Sequence, residues 1–483
     1  MTATTATADW QRVQAAFEQI WGYTQFRPPQ GDVVSALLNQ RDALVIMPTG
    51  GGKSVCFQLP ALLQTGLTLV VSPLVALMEN QVQELRERSL PAAALHGELS
   101  AYQRRQTLWA LEQQRLRLLY LSPETLLSPA VWQRLCQPSL KINGLILDEA
   151  HCLAQWGDTF RPAYRRLGAV RPALLQHKPP GTHLAIAAFT ATADPVAQRL
   201  LKDVLRLEQP KAVRLSPYRA NLHLSVQPVW TPRGRRQALR HYVEKRSQQA
   251  GLVYVRTRRD SQTLADWLQQ SGYATAAYHA GLHPRDRRQI EADWLRDRLK
   301  FVVCTNAFGM GINKPNCRWV VHFHSPCLLS EYIQEVGRAG RDGAPAQAMM
   351  LASEPTGWLD SSDRQRSQFF ATQAQKLRQK AQKLAQQIPP EGSLKSVTEA
   401  FREGAIALSY LHSLGQLDWL DPFHYRLRSL PAGKSVNPSG YEKMHQYVHG
   451  RGCRWQFLLT EFGFRSEAKQ QGKCGHCDRC LKQ

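Results

Sequence analysis

Residues 43–63, ALVIMPTGGGKSVCFQLPALL, set the architecture of the chain. The apolar run ALVIM reads as a buried strand, a glycine-rich turn follows, and an apolar helix begins behind it. Such a turn is a phosphate cradle. Thr49, Gly50, Gly51 and Gly52 let the backbone curl its N–H groups around an anion, Lys53 reaches the β and γ oxygens, and Ser54 can hold Mg²⁺. The strict P-loop expression has glycine where Met47 stands, but the physical parts are present. A chance glycine-rich turn is the competing reading, and a second motif disfavours it. Asp148-Glu149-Ala150-His151 closes the run INGLILD (142–148). An acid at a strand end beside a P-loop is where a further Mg²⁺ contact belongs, and Glu149 can orient and deprotonate an attacking water.

Working outward, short apolar runs recur: LTLVVS (67–72), LRLLYLS (116–122) and HLAIAAF (183–189). With amphipathic stretches between them they predict one α/β domain with a parallel sheet. The pattern pauses over the Pro- and Arg-rich 208–235. It restarts with GLVYVRT (251–257), YATAAYH (273–279), KFVVCT (300–305), RWVVHF (318–323) and AQAMML (346–351), a second α/β domain. We expect a frayed head over 1–9, domains at 10–207 and 208–355, an insertion at 356–440 and a terminal module at 441–483. In the insertion, Phe370, Ala374, Leu377, Ala381, Leu384 and Ile388 form a helical seam, and 364–387 carries six basic residues with no acid. A helix, a Gly415 stop, a short strand, a turn at 421–422 and HYRLRSL (424–430) are compatible with a winged-helix-like fold.

The 483 residues suffice for about three domains at roughly 150 residues each. With 61 Lys+Arg against 38 Asp+Glu, the net charge of +23 calls for a polyanionic partner. No basic, apolar leader opens the chain, and no apolar run approaches the ~18 residues of a membrane span. Expectation therefore falls on a soluble, cytoplasmic protein. The stretch CLAQWGDTFRPAY (152–164) sets Trp156, Phe160 and Tyr164 among Arg161 and Arg165 just behind the acid pair. Aromatic faces with cations beside them suit bases and phosphates, although such aromatics can equally be core. In QEVGRAGRDG (334–343), Arg338 and Arg341 can stabilise charge on a γ-phosphoryl group brought to the cleft between the domains. At the far end Cys453, Cys474, Cys477 and Cys480 have the spacing of a tetrahedral Zn²⁺ site; a redox CxxC pair is the alternative.

The ordered set GYTQFRPPQ (22–30), MPTGGGKS, VVSPLVALMENQV (70–82), YLSPETL (120–126), DEAHC, AAFTATA (187–193), YHAGL (278–282), CTNAFGMGINKP (304–315) and QEVGRAGRDG resembles the RecQ family of superfamily 2 DNA helicases. The resemblance covers about 10–352 and 441–480. It implies two tandem RecA-like domains followed by a mostly helical C-terminal region with a zinc module. The activity implied is that of an ATP-dependent, Mg²⁺-using enzyme, monomeric or weakly associating, which moves 3′ to 5′ on single-stranded DNA and unwinds tailed duplexes. In recombination and repair its place would be at the nucleoid. By the same resemblance Tyr23 stacks on adenine, Arg27 and Gln30 read its edge, and Gln334 and Arg338 line the γ-phosphate, with Arg341 as the arginine finger. Trp156, Phe160 and Arg161 belong to a loop that couples DNA to the ATPase. Here Asp158 and Thr159 stand where the family pattern has His and Asp. Many relatives continue beyond the zinc site, whereas this chain stops three residues after Cys480; the insertion at 356–440 is expected to provide duplex contacts instead. An ATP-gated annealing protein and an RNA helicase are the alternative functions.

Overall fold

The computed structural model describes residues 3–481 except 49, 157–160, 309–311, 313, 355 and 429–438. The chain divides into two compact units, the first comprising 1–47, 51–215 and 377–436, the second 48–50, 216–376 and 437–483.

The first unit is built on seven strands: β1 (Ala43–Ile46), β2 (Leu67–Val71), β3 (Ala92–Leu95), β4 (Leu118–Leu121), β5 (Ile142–Leu147), β6 (Ala185–Thr190) and β7 (Lys211–Arg214). Their order is β3-β4-β2-β5-β6-β1-β7, with every pairing parallel. The central strands are buried on both faces, which is why they read as unbroken apolar runs. Two strands differ from expectation. The edge strand β3 is an alanine run without strand-forming residues. Strand β7 lies beyond the expected boundary at 207, yet pairs with β1 from Ala43–Lys211 to Ile46–Arg214, so the unit extends to Leu215. With a basic residue at each end, β7 carries only one buried residue, Val213. The head also differs: a helix spans Ala3–Trp21, its Val13 and Phe17 buried against Val34 and Leu59.

A six-stranded parallel sheet organises the second unit. Its strands are β8 (Leu222–Val229), β9 (Gly251–Tyr254), β10 (Thr275–Tyr278), β11 (Phe301–Cys304), β12 (Trp319–His322) and β13 (Ala346–Ser353), in the order β10-β11-β9-β12-β13-β8. Strand β8 falls in the stretch read as a pause because its residues alternate between buried and half-buried. Its eight residues pair with all of β13.

The insertion opens with a helix, Ser362–Ala385, whose residues from Leu377 onward belong to the first unit. Of the predicted seam, Ala381, Leu384 and Ile388 are buried and Leu377 is half-buried, while the side chains of Phe370 and Ala374 lie outside the described residues. Next come β14 (Glu391–Ser393), helices Leu394–Ala400 and Gly404–Ser413, β15 (Leu417–Trp419) and β16 (His424–Leu427). These strands form an antiparallel sheet in the order β14-β16-β15. Helix, strand, two helices and a two-stranded hairpin closing on the first strand follow the element order of a winged helix.

Candidate active site and metal centre

The turn after β1 has left-handed glycines at Gly50 (φ 85°) and Gly52 (φ 75°), the latter capping the helix Lys53–Leu63. A side chain at Gly52 would be strained by its φ and would press on Gln30 Nε2. No acid occupies the first turn of this helix, so its positive end is left for an anion. Gln30 Nε2 donates to the carbonyls of Gly51 and Gly52 at 3.3 and 3.2 Å, and its Oε1 accepts from the Arg27 N–H at 2.9 Å. Gln30 is thus held against the P-loop. Thr49 lies outside the described residues.

Lys53 Nζ stands 3.5 Å from Glu149 Oε1. Asp148, at the end of β5, is buried; its Oδ2 accepts from Gln81 Nε2 at 3.1 Å and its Oδ1 from the Glu149 N–H at 3.0 Å. Burial, and then the Glu149 charge, push Asp148 up to about 6. A divalent cation would oppose that cost, so a buried carboxylate here fits Mg²⁺ held with Ser54. Glu149 has φ 50°, an uncommon conformation for a non-glycine residue and one that clusters at functional sites. Its Oε2 is 3.3 Å from His151 Nδ1, which in turn is 3.3 Å from Thr190 Oγ1 at the end of β6. Reading the sequence for chemistry missed Gln81, His151 and Thr190 as members of this network. Their signal was present in the strings VVSPLVALMENQV, DEAHC and AAFTATA.

Tyr23 is 53% exposed, its ring 5.7 Å from Phe17, which leaves a free face for stacking. Trp156 ends the helix His151–Trp156; its side chain and all of Phe160 lie outside the described residues. Arg161 Nη1 lies 3.6 Å from Glu124 Oε2. One expectation is corrected: Tyr164 and Arg165 are buried in a 3-10 helix, Pro162–Ala169, where Tyr164 joins the core and cannot stack on a base. For Tyr164 and Arg165 the neighbouring of an aromatic and a basic residue reflects packing.

In the second unit, helix Leu329–Val336 carries Gln334 and leads into Arg338 and Arg341. Gln334 Nε2 is buried and has no hydrogen-bond partner among the described residues. Glu335 accepts two bonds from Arg256, at 3.0 and 2.9 Å, and faces His322 Nε2 at 2.8 Å. Burial alone would raise the Glu335 carboxyl; Arg256 and His322 instead hold it at about 2. Arg341 Nη1 donates to the Ile312 carbonyl at 3.0 Å, and burial, with Arg338 beside it, lowers its guanidinium to about 10. Two crowded cations of this kind favour an anion.

Cys453, Cys474, Cys477 and Cys480 bring their sulfurs within 4.8 Å of one another. Separations of 3.5, 3.9 and 4.0 Å match the ~3.8 Å edge of a tetrahedron with Zn–S bonds of ~2.3 Å. Burial pushes Cys474 up to about 11. Four thiolates this close require a cation, and the set fits Zn²⁺. Around it, the Arg454 and Cys474 N–H groups donate to Cys477 and Cys453, and Arg454 pairs with Asp478, which accepts from the Val226 N–H of β8.

Parallel sheets with a phosphate cradle and an acid pair at strand ends define a helicase-type nucleotide hydrolase. Family models agree: DEAD/DEAH box helicase over 27–200, helicase conserved C-terminal domain over 234–343 and RecQ zinc-binding over 428–481. The chain is 54% identical to "ATP-dependent DNA helicase RecQ" of Synechocystis over 98% of its length and 99% of that protein. It is 39% identical to "Probable ATP-dependent DNA helicase RecS" of Bacillus subtilis over 70% of this chain and 66% of that one, and 38% identical to Haemophilus influenzae RecQ over 70% and 52%. The chain belongs to the RecQ family of ATP-dependent DNA helicases. Among solved structures, Mycobacterium smegmatis Lhr bound to ssDNA and AMP-PNP matches at TM-score 0.54 and 24% identity, covering 69% of this chain and 47% of that one. Yeast Dbp5 bound to RNA and ADP BeF3 matches at 0.57 and 16%, covering 73% and 90%. These likenesses concern the fold alone. Among the described residues no helix is long and apolar enough to cross a membrane.

Proposed function

We propose that this helicase uses ATP to move 3′ to 5′ along single-stranded DNA and so unwinds tailed duplexes, as a monomer at the nucleoid in recombination and repair. The observation that carries the hydrolytic part is the network Lys53–Glu149–His151–Thr190, in which one carboxylate faces both the phosphate-binding lysine and a histidine. Lys53 draws the β and γ oxygens into the turn, and Glu149 accepts the proton of the attacking water. Ser54 and Asp148 would hold Mg²⁺, which when bound neutralises phosphate charge. Tyr23, with Arg27 and Gln30, positions the adenine. Gln334, Arg338 and Arg341 contribute stabilisation of the γ-phosphoryl charge, and Trp156, Phe160 and Arg161 report DNA occupancy to Glu149. Zinc held by the four cysteines staples the terminal module.

Strand displacement tests this reading. The wild type should release the strand of a 3′-tailed DNA duplex but not of a 5′-tailed or RNA duplex, and Lys53→Ala should release none. ATP hydrolysis without displacement would favour the annealing protein instead.

A further inference from the structure

The helices Leu394–Ala400 and Gly404–Ser413, joined by a three-residue turn, make a helix-turn-helix. They are tightly nested: a Cβ on Gly404 would meet Val397 Cγ1 at 2.8 Å. In DNA readers of this type the second helix enters the major groove with polar side chains on base edges. Here the second helix, GAIALSYLHS, has no lysine or arginine, and Ala407, Leu408, Ser409, Tyr410 and Leu411 are buried. Its partner is the 3-10 helix Pro162–Ala169, with Ala169 inside the winged helix's own apolar cluster. The wing is occupied too. Arg166 Nη1 donates to the Pro422 carbonyl at 3.0 Å, its guanidinium lies 6.0 Å from the Trp419 ring, and Phe423 packs edge-on to Trp132 at 5.3 Å.

From this we infer that the winged helix is an internal brace: its recognition-position helix and wing clamp Pro162–Ala169, the segment that follows Trp156–Arg161 in sequence, and thereby set how strongly DNA occupancy stimulates ATP hydrolysis. Arg166, Trp419 and Phe423 are positioning residues in this arrangement. Duplex contact, expected of the whole insertion, is then left to exposed basic residues of the long helix such as Arg378 and Lys383. The inference rests on the proposed coupling of DNA to Glu149.

The test compares Arg166→Gln and Phe423→Ala, one from each side of the clamp, in the full chain. Basal ATPase and the affinity for a 20-nucleotide strand measured by anisotropy should stay within twofold of the parent, while maximal DNA stimulation falls at least fivefold. Unchanged stimulation in both variants, in a background where Trp156→Ala loses it, overturns the brace. So does a parallel fall of basal and stimulated rates. If Trp156→Ala keeps full stimulation, the coupling reading fails first and the brace with it. Hydrogen exchange of the parent gives a measurement free of variant folding: amides of Gly404–Ser413 should be equally protected with and without a blunt 20-base-pair duplex. Added protection would make that helix a DNA reader and overturn the proposal.

Discussion

Glu149 combines three constraints that a motif string does not convey: a left-handed backbone, a 3.5 Å approach to Lys53 and a 3.3 Å approach to His151. A bound triphosphate competes with Glu149 for Lys53, so nucleotide entry would free the carboxylate to accept a proton. Glu149→Gln keeps the size of the group and removes its basicity. General-base loss is typically worth about 10²–10⁴-fold, so ATP turnover should fall by at least about a hundredfold with single-strand affinity retained; a loss under tenfold would assign the proton to another group. Gln81 was invisible as a site residue because its partner Asp148 lies 67 positions away, a distance that only the fold closes. Tyr164 shows the converse: an aromatic with arginine neighbours in sequence is core in space.

At the scale of elements, what the sequence disclosed follows burial on both faces. Strands β1, β2, β4, β5 and β6 were legible as apolar runs, whereas β7 and β8 at sheet edges were not, since they carry charge or alternate, and β3 was not because its alanines are poor strand formers. The three-residue strand β14 is too short for any periodicity to show. Spacing alone sufficed for the cysteine module, because successive CxxC steps admit few geometries. There, a zinc site would contribute apparent binding energy on the order of 10–16 kcal/mol. Purified protein should contain one zinc per chain by elemental analysis, and Cys474→Ser should lower that content and open 441–481 to limited proteolysis. A metal-free preparation of unchanged protease resistance would refute the structural zinc.

For the whole molecule, acid sensitivity has an identifiable source in buried imidazoles. Burial, with Arg366 and Arg235 nearby, lowers His324 to about 2, and burial, with Arg165, Arg206 and Arg428, lowers His412 to about 3, against 6.5 when unfolded. The unfolded chain therefore binds more protons below pH 6.5. Stability from these groups is full above that value and declines as pH falls, by about 1.4 kcal/mol per pH unit for each group. Urea unfolding at pH 7.5 and 5.5 should show this loss, and His412→Leu should reduce it by roughly 1 kcal/mol; an unaltered pH difference in that variant would exclude His412 as a source. Such a network was beyond sequence reading, since each histidine is neutralised by burial among residues remote in the chain.

The first unit is discontinuous, its last segment, 377–436, returning after the whole of 216–376. That fact bears on biosynthesis. At about 5–20 residues per second, the ribosome needs roughly 10–40 s after Leu215 to deliver the winged helix. During that interval the apolar surface around Ala169 and Trp132 has no cover. Nascent chains stalled near residue 376 should accordingly be the forms that chaperones hold longest, and release should coincide with emergence of Trp419 and Phe423, the side chains that close this surface.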